Sequence, residues 1–302
     1  MKVLVLYTLS PVAIAPGRRI VDEFDVSEAA QGIAEVLPEA IAVGVHGEVR
    51  EVLAALDQHH PDVVFNVCEA PLGRPDLEAH VAALLEWLGV RFTGCRSETL
   101  ALCRRKDRVN ALLASARVPV PRTGVFPCIV KPADEDGSAG IDENSICANT
   151  EAVARARARL KGPTVIQEFL PGREFAVSLW GREESLNVSI GETCFTGGMR
   201  LLTYAAKWDP GSADFANTPL VYTPQLDPRL REAVIAAARG AWGAVSARGY
   251  LSVDIRLDAG GVPRVLDVNP NPELWPDGIY RAVIEAGWSW ERFVRQQLEW
   301  AW

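Results

Sequence analysis

The run VLDVNPNPEL at 265–274 is an apolar, strand-like stretch that stops on Asp267 and Asn269. Pro270 and Pro272 follow, and neither can donate to a sheet ladder, so the strand cannot continue. Upstream, YLSVDIRLD and the turn DAGG complete a β-hairpin. Alternation along its strands puts Ser252, Asp254 and Arg256 on one face of the first, and Asp267 and Asn269 on one face of the second. Two acids and an amide can therefore converge. Hard cations such as Mg2+ prefer such oxygens and are usually completed by substrate phosphates. Asp and Asn before proline are also ordinary turn formers. Taken alone, the hairpin fits both readings.

The chain before it alternates in period. KVLVLYT reads as a buried strand, VSEAAQGIAEVL as a helix with Ser27 placed to cap it, and PDVVFNVCEA as a second buried strand. This is the pattern of a parallel, Rossmann-like α/β lobe, which EAHVAALLEWLG, apolar at helical spacing, and the VRFTG that follows it carry to about residue 95. SETLALCRRKDRVNALLASARV reads as one helix ended by Pro119 and Pro121, followed by the strand PCIVKPA and the loop DEDGSAGI. The helix EAVARARARL and the strands TVIQEFL and EFAVSLW complete a second lobe over 96–180. The third, 181–302, holds further strands, the helix DPRLREAVIAAARGAWGAVS, the hairpin and a terminal helix. The expected class is α/β with α+β lobes.

At 302 residues and 48% hydrophobic composition the chain can fill several cores. Its net charge of -8 comes from 39 acids against 31 bases with no basic block, so no nucleic-acid partner is expected. MKVLVLYTL is too short for a signal h-region and no run reaches the length of a membrane span, so a cytoplasmic protein with no membrane partner is expected. Cys68, Cys95, Cys103, Cys128, Cys147 and Cys194 contain no CxxC pair and read as reduced thiols rather than a zinc site or a disulfide framework.

Two further stretches carry chemistry. CIVKPADEDGSAGI places Lys131 at the end of a strand and then Gly137, Ser138 and Gly140, whose backbone N-H groups can approach phosphate oxygens. The spacing is not that of a Walker loop, and a plain turn competes with the phosphate reading. TVIQEFLPGREF ends a strand on Glu168, with Leu170 behind it and Glu174 after a turn. That edge suits an adenine and a ribose, or simply the charged rim of a hairpin.

In order along the chain, FNVCEA, GVRFTG, the SETLALCRRKD lysine, IVKPADEDGSAGI, VIQEFLPGREFAV, the AAKW lysine, SVDIRLD and VLDVNPNPEL together resemble the ATP-grasp carboxylate-amine ligases, and within them the D-alanine-D-alanine ligases. The resemblance implies an ATP-grasp fold of three lobes with ATP between the second and third. It implies Lys106 and Lys131 on ATP phosphates under the Gly137 and Ser138 loop, Glu168 and Leu170 at the adenine, Glu174 on the ribose, and Lys207 at the γ-phosphate. It also implies Asp254, Asp267 and Asn269 as ligands of Mg2+, or of Mn2+. The partners would be a small-molecule carboxylate and an amine, and a homodimer is compatible with the family. The implied reaction activates the carboxylate as an acyl phosphate, which the amine then displaces.

Departures from the family pattern gather on the amino-acid side. Ser252 stands where the family has an arginine that steadies the acyl phosphate and oxyanion, leaving Arg256, or Arg18 and Arg19 of the loop SPVAIAPGRRIVDEF, to compensate. The family's His-Gly becomes Glu69-Ala70, its first-lobe glutamate becomes Asp25, and Gly278 and Ile279 replace a serine-leucine pair that holds a substrate carboxylate. Asp267 replaces a longer glutamate. The expectation is an ATP-dependent ligase of small substrates diverged from cell-wall dipeptide synthesis, with Lys207, Ser252 and Arg256 nearest the reacting atoms and Asp25, Glu69 and Gly278 nearest the substrates. Two alternatives stand beside it: an ATP-grasp enzyme that stops at a phosphorylated product or joins a carboxylate to a larger acceptor, and a non-catalytic nucleotide-binding or regulatory protein.

Overall fold

The computed structural model describes residues 1–9, 26–135 and 137–301. The first sheet is built from β1 (Val3–Thr8), α1 (Ser27–Val36), β2 (Ile41–Val45), α2 (Val49–His59) and β3 (Val63–Val67), with all strands parallel in the order β2-β1-β3. Its central strand is apolar at every position from Val3 to Leu6 because both faces are covered. Val3 and Val5 join Ile33 of α1 in one core, while Leu4 and Leu6 join Val52 of α2 in another. Ser27 is the first helical residue of α1 rather than its cap, a position held by Val26. VRFTG contributes only a single parallel bridge, Phe92 to Val64.

The helices α3 (Glu78–Trp87), α4 (Ser97–Cys103) and α5 (Lys106–Ser115) follow. The one helix expected from Ser97 onward is interrupted at Arg104 and Arg105, which makes Lys106 the first residue of α5 and sends its backbone N-H to the Ala133 carbonyl at 2.8 Å. The middle sheet contains β4 (Cys128–Pro132), β5 (Ile146–Cys147) and β6 (Thr164–Glu168), antiparallel in the order β5-β4-β6, with α6 (Thr150–Arg159) packed on it. The glycine-bearing loop joins β4 to β5.

The third sheet is antiparallel in the order β11-β10-β7-β8-β9. Its strands are β7 (Glu174–Gly181), β8 (Asn187–Thr193), β9 (Leu220–Tyr222), β10 (Gly249–Leu257) and β11 (Pro263–Asn269). Short helices α7 (Tyr204–Trp208) and α8 (Ala213–Ala216) precede β9, and α9 (Pro228–Ala244), opened by Asp227 as cap and Pro228 at the first turn, precedes β10. β7 lies almost wholly before residue 180, where the sequence reading closes the second lobe, yet its ladder partners are β8 and β10. The last helices, α10 (Gly278–Glu285) and α11 (Trp290–Trp300), return to the first sheet. Ile279, Phe293 and Leu298 share a core with Val3, Val5 and Ile33. All six cysteines are free. Among the described residues no helix is long and apolar enough to cross a membrane.

Candidate active site

The hairpin sets the geometry of the site. Asp254 of β10 is the direct cross-strand partner of Asp267 of β11, and Ser252 is the partner of Asn269. The register then slips, so that Ile255 pairs with Val265 and Leu266 is the extra residue of a bulge. The Leu266 carbonyl accepts a 3.4 Å hydrogen bond from Lys131 Nζ. The bulge thus brings the middle sheet's lysine to the acid pair of the large sheet.

A second lysine reaches the same place. Lys106, 4% exposed at the start of α5, lies 2.9 Å from Asp267 Oδ2. Burial works to raise the Asp267 carboxyl, but the positive charges of Lys106 and Lys131 outweigh it and hold the group below the usual carboxylate range. Asp254 goes the other way: burial and the neighbouring Asp267 charge push it up against the pull of Lys207, Lys131 and Lys106. Lys131 is pushed down by burial and by Lys106, with Asp267 and Asp254 opposing. Lys106, Lys131, Lys207, Asp254 and Asp267 therefore share one electrostatic neighbourhood at the seam of the sheets. Such a cluster can exchange its internal ion pairs for a polyphosphate and a hard cation.

Asp267 and Asn269 also fulfil the turn role that the sequence allows. Asp267 Oδ1 accepts from the Val268 N-H at 3.1 Å, and Asn269 Oδ1 accepts from the Asn271 N-H at 3.0 Å, which starts the turn into the prolines. Among the described residues no group of three or more His, Cys, Asp or Glu is arranged around a metal position. The set Asp254, Asp267 and Asn269 contains only two such residues, and its chemistry, two facing carboxylates and an amide oxygen, fits a hard divalent cation.

The nucleotide-edge candidates are distributed differently from the expectation. Glu168 does not present a free carboxylate: Arg122, which sequence reasoning missed, grips it through Nε at 2.8 Å and through a short contact from Nη2. The backbone follows suit, with Glu168 N-H on the Arg122 carbonyl and Phe169 N-H on the Pro127 carbonyl. Leu170 is buried beside them. Glu174, expected on a ribose, faces Arg256 at 3.0 Å with both side chains buried. Burial raises its carboxyl, and Arg256 opposes the rise. Arg256 does not turn back toward Ser252; its remaining donors end on the carbonyls of Gly172 (3.1 Å) and Arg200 (2.9 Å). The only prior signal for this grip was a charged residue on a strand face otherwise devoted to the site.

The loop after Lys131 is backbone-shaped as its composition suggests. Gly137, Ser138 and Gly140 all have positive φ, and a Cβ on Gly140 would meet Leu160 at 2.9 Å. The Gly137 carbonyl accepts a hydrogen bond at 3.1 Å from the indole of Trp208, the residue after Lys207. Lys207 sits on α7, whose Thr203 cap accepts the Ala206 N-H. The two stretches that would cover phosphates from opposite lobes are thus joined through a tryptophan next to a lysine already singled out.

The substrate-side candidates do not assemble comparably. Glu69 follows β3, its backbone N-H on Thr8 Oγ1 at 3.2 Å. Gly278 has φ +48, and a Cβ there would lie 2.1 Å from the Glu273 carbonyl, so no serine fits that backbone. Asp25, Arg18 and Arg19 lie outside the described residues. Just past the hairpin stands Asn271, which sequence reasoning also missed; its amide nitrogen donates to Glu78 Oε1 at 2.7 Å and its Oδ1 accepts from the Tyr250 hydroxyl at 3.5 Å.

Residues 101–299 match the family model described as the D-ala D-ala ligase C-terminus. The chain is 29% identical over 256 residues, 78% of its length and 74% of the relative's, to the uncharacterized protein y4sG of Sinorhizobium fredii. It is 27% identical over 249 residues, 76% and 74% of the two chains, to a D-alanine-D-alanine ligase of Dinoroseobacter shibae. The crystal structure of the Bacillus anthracis D-alanine-D-alanine ligase complexed with ATP superposes with a TM-score of 0.73 at 17% identity, covering 99% of this chain and 96% of that one.

Proposed function

We propose that this chain, which belongs to the D-alanine-D-alanine ligase family and has the ATP-grasp fold, joins a small carboxylate to an amine with ATP as the second reactant. The observation that carries the reading is the convergence of Lys106 and Lys131 on the Asp254 and Asp267 pair where the middle and large sheets meet. Phosphoryl transfer needs position and charge neutralisation more than covalent help, and a buried lysine cluster offers both. In the first step a substrate carboxylate oxygen bonds to the γ-phosphorus while the bond to ADP breaks. In the second the amine nitrogen bonds to the acyl carbon, the acyl carbon–oxygen bond to phosphate breaks, and phosphate leaves while the nitrogen gives up a proton to solvent. Lys106, Lys131 and Lys207 hold the phosphates, and the 2.9 Å pair between Lys106 and Asp267 opens to free both groups for their partners. Mg2+, or Mn2+, held by Asp254, Asp267 and Asn269, would neutralise phosphate charge.

The acid and amine are not those of cell-wall dipeptide synthesis in this reading. Ser252 offers a neutral hydroxyl where the family has a guanidinium, and Arg256 has its donors committed elsewhere. Gly278 admits no side chain to hold a substrate carboxylate. A phosphate-release assay with ATP, Mg2+ and D-alanine alone is expected to give slow turnover. A screen over paired amino acids with product masses measured is expected to yield a different amide. Turnover on D-alanine above about 10 per second, ordinary for an enzyme on its own substrate, overturns the diverged-substrate reading. No phosphate release and no nucleotide binding under any pairing overturns the ligase reading.

A further inference from the structure

Arg256 is 5% exposed, and its side-chain partners come from two stretches of chain remote from it in sequence, 169–174 and 195–200. Nη1 lies 3.0 Å from Glu174 Oε2 at the start of β7. Nε donates to the Gly172 carbonyl in the turn that leads from the middle sheet to the large one. Nη2 donates to the Arg200 carbonyl, on the stretch that ends at Lys207. The guanidinium also lies 4.8 Å from the Phe195 ring centre and 5.5 Å from that of Phe169. A cavity of about 380 Å³ opens beside it, lined by Phe169, Gly172, Phe195, Met199 and Arg200 among others.

Burying an ion pair is a poor way to gain stability, because desolvation offsets the attraction and an apolar pair of similar volume would serve as well. A planar fork with donors in fixed directions gives orientation instead. The carboxylate it orients, Glu174, lies in the field of Asp254, Lys207 and Lys131, so it borders the phosphate cluster. We infer that Arg256 is a positioning residue for the nucleotide. It holds the Glu174 carboxylate in one orientation and ties the inter-sheet turn to the stretch bearing Lys207, so that its loss weakens nucleotide capture. This inference rests on the ATP reading above and adds a residue whose work is geometric.

The test measures binding of the non-hydrolysable analogue adenylyl imidodiphosphate with Mg2+ by calorimetry, which needs no knowledge of the acid or amine. Thermal unfolding of each full-chain variant is recorded alongside. R256M is expected to weaken binding about tenfold, E174Q by a similar factor, and the E174Q/R256M double variant by no more than the weaker-binding single one, because the two side chains act as a unit. R256K keeps the charge but not the fork and is expected to bind about threefold more weakly than the wild type. Should R256M not fold, since it leaves a buried acid unpaired, the double variant and R256K decide the matter. The inference is overturned if folded R256M, R256K or the double variant binds as the wild type does, whatever its unfolding temperature. It is equally overturned if the single effects multiply in the double variant, which would make Arg256 an independent contact. Wild type that does not bind the analogue at all removes the ATP reading and this inference together; wild type that binds, with variants that bind equally well, removes this inference alone.

Discussion

The two ends of the proposed cleft are built from different materials. At the proposed phosphate end, Asp254, Asp267, Lys131 and Lys106 sit on strands or at a helix start. Asp254 and Asp267 face each other by ladder register, Lys131 is next to last in β4, and Lys106 opens α5. At the proposed amino-acid end, Glu69 lies in the connection after β3, Gly278 opens α10 on a left-handed backbone that excludes a side chain, and Asp25 lies outside the described residues. Register transmits position: once two strands pair, the placement of every alternate side chain follows. Connections between elements do not have this property, so a substitution there leaves little trace of what its neighbours now do. A chain can therefore keep the chemistry of its nucleotide while the partners of that chemistry change.

The sharpest way to break the contrast is at the acid pair. Asp267→Asn removes an anionic group facing both Lys106 and Asp254, and turnover is expected to fall on the order of 1000-fold with circular dichroism unchanged. Phosphate release close to that of the wild type at low Mg2+ would show that this end does not carry the chemistry. Next in size, Lys131→Ala is expected to lower kcat/KM for ATP by about 100-fold, because an ammonium is lost from a site that must neutralise phosphates. An unaltered kcat/KM would leave Lys131 a structural lysine bonded to the Leu266 carbonyl.

The opposite end predicts a different signature. With Asp25 in the role the resemblance implies, Asp25→Asn is expected to raise KM for the amino substrate by about tenfold while KM for ATP stays the same. Equal movement of both constants would blur the two ends into one site. The smallest effect concerns Glu273, whose carbonyl closes on Gly278. Burial, helped by Asp277 and Glu28, pushes its carboxyl up to about 7. An acid that holds its proton more tightly when folded costs no stability at pH 4, where both states are protonated, and progressively destabilises the fold as pH rises to about 7. Its side chain still meets water, which weakens the effect, so Glu273→Gln is expected to raise the unfolding midpoint by only about 1 °C at pH 8 and not at all at pH 4. A rise of equal size at both pH values would mean that charge is not the cause.

Much of the fold was legible because period and punctuation carry it. KVLVLYT reads as a doubly covered strand and is one, and the hairpin at 249–269 follows from alternation about a glycine turn. What escaped has physical reasons. The break between α4 and α5 leaves no proline or glycine at Arg104 and Arg105, since it is imposed by the Lys106 N-H reaching Ala133. β2 is short and contains Gly44, against which Leu9 and Tyr7 pack. β7 follows β6 closely in sequence but pairs elsewhere, because ladder partners depend on sheet order rather than on chain distance. In the site, Asp254 and Asp267 were legible through alternation. Arg122, Trp208 and Asn271 were not, as each acts through hydrogen bonds to residues far along the chain.

The core shared by the two ends of the chain bears on how the protein is made. Val3, Val5, Phe65 and Val67 are covered in part by Phe293, Val294 and Leu298 of α11. A ribosome delivers the first sheet long before it delivers that helix. At about 5 to 20 residues per second, the roughly 200 residues between them take on the order of 10 to 40 s. Through that interval one face of the nascent sheet is covered by α1 without α11, leaving a greasy surface of the kind that holding chaperones bind. A version of the gene permuted to translate α10 and α11 ahead of β1 would close that interval, and its yield of soluble protein would report how much the natural order depends on help.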